Sequence, residues 1–548
     1  MPTSLSTPSS TTIQRKVVIA ACFGTFLEWY DFLTFASLAT YFSVLFFPQE
    51  NPVAALLASL ATFGVGMLVR PLGAALFGSL GDKYGRRPVF IATIVLMGLA
   101  TFCVGLLPTY AQVGMLAPAL LLVLRLLQGF SVGGEIGGAA VYLTEHAPIN
   151  KRGAYTSVLQ LMGPLGILVS TLQVVLLQSY LSAEDFQAWG WRVPFLLSIV
   201  LLLVSIKSRV NMYESPVFLH LREKHNLSKA PLRECLTDRR TLGRMALLFF
   251  CISAGGSLLF FSSQVYTNVY LKSVVRLDPQ TASALVMLST LVLFPLTIYF
   301  GWLSDRIGRR PVLLAGLLLG CLAIFPVFKG LMHYGNPALE RFNSEVQVAL
   351  YGDACAYDPF TATKNDCERN QQLLAKLGVS YTLYPSTTPD ATPKGAMNLA
   401  PTRSPSPTPD ATSVRIGTRE VAGYQAGQLT QALKAEGWTE QADPQQVNRV
   451  MIFLLLLIPV VAVGLITGPQ TATLAELFPA RTRYTAVALP HNLSAGWIGG
   501  LSPFMITLLS VKAGNALSGM WYPVGLLTVA FFVGLLFLPE TRNVSLED

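Results

Sequence analysis

Residues 26–32, FLEWYDF, place two carboxylates, Glu28 and Asp31, three positions apart inside an apolar run from Val17 to Phe47. An acid at the centre of a bilayer costs roughly 2.5–3.5 kcal/mol on insertion scales, so both side chains should face a protein interior or a wet cavity. Three-residue spacing puts them on one helix face. In apolar surroundings a carboxylate without a partner takes up a proton, and a neighbouring acid strengthens that tendency. The chemistry suggested is reversible protonation, with Glu28, Asp31 and Glu135 as the proton-coupling candidates. Away from the ends of apolar runs, the matching bases are Arg70 and Arg125. Arginine stays charged and grips a carboxylate through two parallel hydrogen bonds. Glu135 lies ten residues beyond Arg125, about 15 Å along a helix axis, too far for an ideal direct pair. Arg125 is therefore the candidate anchor for a ligand carboxylate, and a counter-ion role toward Glu135 is its alternative. Arg70 reads as a structural partner for Glu28 or Asp31. His491, deep in a late apolar run, reads as a satisfied interior histidine.

These groups need a scaffold that buries them. The 548-residue chain is 52% hydrophobic and 13% charged, about half the charge of a soluble globular protein. Its apolar residues gather into runs of the length that spans a bilayer. Twelve are counted, at 17–46, 53–80, 89–107, 114–143, 154–178, 191–206, 245–270, 281–303, 311–330, 450–474, 485–510 and 520–538. The first is too long for the core of a cleaved leader and is read as retained. Residues 1–14 are rich in Ser, Thr and Pro and are expected to be disordered. Lys and Arg number 22 in the termini and the even-to-odd loops, against 4 in the opposite short loops when Arg192, at the edge of the sixth run, is counted with them. The positive-inside rule then puts both termini in the cytoplasm. The net charge of +9 resides in those loops and does not imply nucleic acid. The expected division is a tail 1–16, a six-helix bundle 17–206, a cytoplasmic linker 207–244, a second bundle 245–330 plus 450–538, an insertion 331–449 and a tail 539–548.

An internal repeat supports two halves. GSLGDKYGRRP at 78–88 recurs as GWLSDRIGRRP at 301–311, an offset of 223. Glu145, Pro148 and Arg152 have the spacing of Glu476, Pro479 and Arg483, an offset of 331. The difference, 331 − 223 = 108 residues, is the size of the insertion. In each copy the glycines, Gly78 and Gly85 or Gly308, permit a tight turn. Asp82 or Asp305 can accept from the N–H groups of a helix start. The arginine pairs Arg86–Arg87 and Arg309–Arg310 can reach an acid such as Glu145 or Glu476, with Arg152 and Arg483 alongside. Contacts of this kind, made in one state and broken in another, constitute a gate.

These two loops resemble the signature of the major facilitator superfamily. Together with FLEWYDF, VRPLGAALFGSLGDKYGRRP, LRLLQGFSVGGEIGGA and YESPVF, they resemble its metabolite:proton symporter family. That family includes permeases for oxoglutarate, citrate, shikimate and proline or betaine. The resemblance implies an all-α membrane protein with twelve spans in two six-helix halves, importing a small and anionic substrate with a proton across a bacterial inner membrane. It also implies a cavity lined by helices 1, 4, 7 and 10, with Tyr30, Arg125, Gln128, Gln264, Tyr266 and Gln470 as substrate contacts. Gln128 and Glu135, seven apart, share a helix face. The glycines Gly129, Gly133, Gly134, Gly137 and Gly138 read as close helix packing. The only coupling ion expected is the proton; no cofactor or metal is expected, and the chain is expected to act as a monomer embedded in lipid. No enzymatic constellation is present. The alternatives are an osmolyte importer, an exporter, or a nutrient sensor with a transporter-like body.

The insertion lies between helices 9 and 10 and departs from the family pattern. Residues 363–377 and 424–438 are expected to form short amphipathic helices. The centre, about 385–412, repeats TPDAT and is expected to be a flexible loop. Cys355 and Cys367 are the cysteine pair expected on the oxidising side, and a disulfide is predicted. A cap over the cavity mouth, a docking element and a spacer all remain open as roles.

Overall fold

The computed structural model describes residues 10–48, 52–210, 213–353, 355, 363–385 and 412–546. The long helices are α1 Ser10–Phe46, α2 Pro52–Tyr84, α3 Arg86–Leu106, α4 Leu116–His146, α5 Ile149–Tyr180 and α6 Phe186–Val210. They continue with α7 Arg239–Ser273, α8 Pro279–Ile307, α9 Arg309–Gly335, α10 Arg449–Glu476, α11 Arg483–Ala513 and α12 Ser518–Phe537. Eleven helices among the described residues, those after α1, are long and apolar enough to cross a membrane. Each expected apolar segment overlaps one of the twelve helices, most of which run past it, by up to seven residues; α1 begins at Ser10, inside the stretch expected to be disordered.

Local chemistry sets the helix starts. Asp238 accepts from the Thr241 N–H at the start of α7, Asp278 from the Thr281 N–H at α8, and Asn448 from the Met451 N–H at α10. Each satisfies an orphan donor of a first turn. Gly85 and Gly308 separate α2 from α3 and α8 from α9 with φ of +117° and +107°, a conformation that L side chains rarely adopt. The glycine-rich stretch of α4 packs backbone to backbone on α2. A Cβ at Gly129 would fall 2.0 Å from the Gly66 carbonyl oxygen, and one at Gly133 would fall 2.1 Å from that of Arg70. Small residues let the two helices meet at that distance.

The segment between α9 and α10 corrects the all-α expectation. It holds β1 Val348–Tyr351, β2 Thr382–Tyr384, β3 Ser413–Ile416 and β4 Arg419–Ala422 in one sheet of order β2-β1-β3-β4. β1 and β2 are parallel; the other pairings are antiparallel. Helices Pro337–Glu345, Asp366–Lys376 and Ala426–Ala435 pack on the sheet, two of them inside the ranges expected. Leu350, Leu374, Val414, Ile416, Leu429 and Leu433 form a separate apolar core. Cys355 and Cys367 are joined in a disulfide. The expected flexible centre, 385–412, falls outside the described residues apart from its first and last positions.

Candidate functional site

A cavity of about 80 Å³ lies between the first six long helices and the last six. From the first set Thr25 and Trp29 (α1), Arg70 (α2) and Gln160 (α5) line it; from the second, Phe260 (α7), Gln470 (α10) and His491 (α11) do. α7 widens into a π-helical turn at Phe261–Tyr266, and α11 does so at Ser494–Gly499; such turns cluster at functional positions. Trp29 and Phe260 meet across the cavity with ring centroids 5.7 Å apart. Beside it the Gln160 Nε2 donates to Thr471 Oγ1 at 2.8 Å, which ties α5 to α10. His491 Nδ1 stands 2.9 Å from the Ser253 hydroxyl.

Behind this cavity three buried acids each meet an arginine. Arg70 Nη1 is 3.5 Å from Glu28 Oε1. Arg125 Nη1 is 3.6 Å from Asp31 Oδ2, and its guanidinium lies 3.5 Å over the Phe35 ring. Arg209 grips both oxygens of Glu135, one at 3.1 Å. All six side chains are nearly inaccessible to solvent. The pairs differ in how their acids are satisfied. Asp31 also accepts from Gln128 Nε2 at 3.0 Å, and Glu135 accepts from Thr93 Oγ1 at 3.0 Å. Neither oxygen of Glu28 has a hydrogen-bond donor. Buried polar groups are normally hydrogen-bonded, which singles out Glu28.

This geometry redistributes the expected substrate contacts. Arg125 does not line the cavity and does not pair with Glu135; Asp31 on α1 holds it, because α1 and α4 pack side by side. Gln128 is spent on Asp31 and Thr101. The Tyr30 hydroxyl donates to Gln173 and to the Pro194 carbonyl, so it turns toward α5 and α6. Gln264 accepts from Thr290. Tyr266 packs against Tyr270 and Phe328. Gln470 is the one member of that set that reaches the cavity, and Arg70, given a structural reading above, is the guanidinium there. Arg209 went unrecognised because it lies at the end of its apolar run.

The two repeated loops close one end of the molecule. Asp82 accepts from the Tyr484 and Thr485 N–H groups at 3.1 and 2.9 Å, capping α11. Its counterpart Asp305 accepts from the Gly153 and Ala154 N–H groups at 2.8 and 2.9 Å, near the start of α5. Gly78 packs on Thr485 and Gly301 on Gly153. Glu145 receives Arg483 at 2.9 Å and Arg86 at 3.5 Å. Glu476 receives Arg309 at 3.3 Å and Arg152 at 3.7 Å. Glu214 caps α3 through the Arg86 and Arg87 N–H groups, and Glu540 caps α9 through those of Arg309 and Arg310. The sequence carried a signal for these last two acids: each stands just past the final helix of its set, in YESP and PETR.

The family model described as sugar (and other) transporter matches residues 17–241. The chain is 37% identical over 331 residues to the inner membrane metabolite transport protein YhjE of Escherichia coli K12, covering 60% of this chain and 74% of that protein. It is 39% identical over 321 residues to the shikimate transporter of the same organism, covering 58% and 72%. A putative proline/betaine transporter of Staphylococcus haemolyticus is 36% identical over 306 residues, with 55% and 64% covered. Among solved structures, the major facilitator superfamily proton:xylose symporter XylE superposes with TM-score 0.60 over 98% of both chains at 16% identity. With its fold, its paired repeat loops and relatives at this identity, the chain belongs to the major facilitator superfamily of transporters.

Proposed function

We propose that this transporter imports a small organic anion together with a proton by alternating access, with Arg70 and Glu28 as the coupling pair. The observation that carries the reading is the contrast among the buried acids: Glu28 alone of the three has no hydrogen-bond donor, and its arginine is the one that lines the cavity. A substrate carboxylate entering between the helix sets can take Arg70 in a bidentate grip. Glu28 then loses its counter-ion in a low-dielectric site and binds a proton. Anion and proton therefore load together, and Arg70 re-pairs with Glu28 once both have left. The cavity of about 80 Å³ holds only a few waters, so substrate enters as the halves separate. The engaged gates fit a state closed on the side of the termini. In this reading α1 is the twelfth span, the gates face the cytoplasm and the α9–α10 segment faces the periplasm.

The test is uptake into proteoliposomes under an imposed pH gradient, with dicarboxylates, aromatic acids and betaine offered in parallel. Accumulation of an acid that collapses when the gradient is dissipated supports the reading; accumulation indifferent to the gradient overturns the coupling. A second reading has its own observation. Trp29 and Phe260 face the cavity close to Arg70, and an aromatic pair attracts a quaternary ammonium. A zwitterion such as betaine would place its carboxylate on Arg70 and its cation on the rings. Betaine accumulation in the same assay selects it.

A further inference from the structure

A second cavity, of about 400 Å³, lies where the α9–α10 segment sits on the ends of α7 and α11. Arg276, in a left-handed backbone conformation at φ 62°, forms one wall. Its guanidinium donates to the Lys376 and Glu440 carbonyls, and its own carbonyl accepts from the Ala442 N–H at 3.0 Å. Tyr381 forms the other wall, donating its N–H to the Gly514 carbonyl at 3.0 Å and its hydroxyl to Val511 at 3.3 Å.

The charge in this cavity is one-sided. Lys272, Arg276 and Lys376 line it, and no carboxylate does. Among the described residues neither lysine ammonium has a hydrogen-bond or ion-pair partner, and the Nε of Arg276 is buried without one. The nearby acid Glu440 is taken by Lys434 at 3.1 Å. Below these cations the lining is uncharged: Tyr266 and Val269 come from the last turns of α7, and Thr507, Ser510 and Val511 from α11. Val269 is 42% exposed, so the lining includes an apolar side chain at the surface. The walls are thus cationic above and uncharged below.

We propose that this cavity binds a phosphate group, with the headgroup of an anionic phospholipid as the occupant that the exposed, apolar Val269 in its lining favours and free phosphate as the other source. Cationic pockets at the ends of membrane helices recognise such headgroups, and the two lysine ammonium groups with the remaining Nε–H of Arg276 suit the phosphate oxygens.

The experiment uses the full-length protein in detergent. Native mass spectrometry is run with phosphatidylglycerol and with phosphatidylcholine, and inorganic phosphate is titrated separately by calorimetry. The variant joins Lys272→Gln and Lys376→Gln, leaving Arg276 to seat the segment; Lys229→Gln, an exposed linker lysine, is the control. Retention of phosphatidylglycerol over phosphatidylcholine, weakened about thirtyfold in the double variant and unchanged in the control, supports the site and names the lipid source. Phosphate binding without lipid retention, lost in the same variant, supports the site and names the free anion. Equal retention of the two lipids with no phosphate binding, or binding that the double variant leaves intact, overturns it.

Discussion

At Glu28 the ion partner stands 3.5 Å away and no hydrogen bond supplements it, so this carboxylate is the one in the N-terminal set with least to lose on protonation. Glu28→Gln is expected to abolish uphill accumulation while exchange of substrate across the membrane persists; accumulation equal to that of the parent chain would move the coupling site elsewhere. Arg70→Lys keeps the charge but removes the fork, and affinity for an organic anion should fall about thirtyfold or more, the cost of disturbing a desolvated charge pair. Asp31 and Arg125 make the opposite case. Removing either partner of that pair strands a buried charge, an effect of about 3–5 kcal/mol on stability. Arg125→Gln should lower the unfolding temperature, and adding Asp31→Asn should recover part of the loss. A well-folded Arg125→Gln protein that fails only to bind substrate would restore Arg125 as the anchor. The sequence exposed the three acids and offered Arg70 to Glu28 or Asp31, but it did not choose between them or find Arg125 for Asp31 and Arg209 for Glu135, because each partner sits on a different helix and no spacing along one helix encodes it.

Among elements, the loops between α2 and α3 and between α8 and α9 were legible because the repeat displays them twice, and the structure gives both glycines the same left-handed turn. The capping acids Glu214 and Glu540 were harder to see, since a single acid after a span has no period to mark it. The strands between α9 and α10 were missed for a related reason: three or four residues are too few to show an alternating pattern against flanking helices. Asp82 anchors α11 from the opposite half, and Cys235 is buried beside that joint with its thiol 3.9 Å from the Thr482 carbonyl. Asp82→Asn weakens the cap on α11, and α2 should then withdraw from α11 more often. Alkylation of Cys235 by a membrane-permeant maleimide is expected to rise several-fold over the parent chain. An unchanged rate would mean that the closed end is held by the Glu145 and Glu476 clusters without Asp82.

For the whole molecule, orientation and the added segment are the open variables. Cysteines introduced at Gln428 and Lys229, both exposed, should react with an impermeant label from opposite sides, Gln428 from the periplasm; the reverse pattern would invert the gating argument. The Cys355–Cys367 disulfide closes a separation of 12 residues, which is worth about 3 kcal/mol by loop entropy. Replacing both cysteines by serine should make the segment more sensitive to protease while transport continues; lost transport would give the segment a part in the cycle. The seats described for that segment lie just past α7, at Arg276, and at the end of α11, at Val511 and Gly514, and its roots lie on α9 and α10. All four belong to the same set of six helices. A compact, disulfide-bearing module seated on one half of the molecule is a natural fiducial for the alternating access proposed here. An antibody fragment raised against it would travel with that half without clamping the two together. A pair of fluorophores, one on the module and one on the opposite half, would turn each transport cycle into a distance trace.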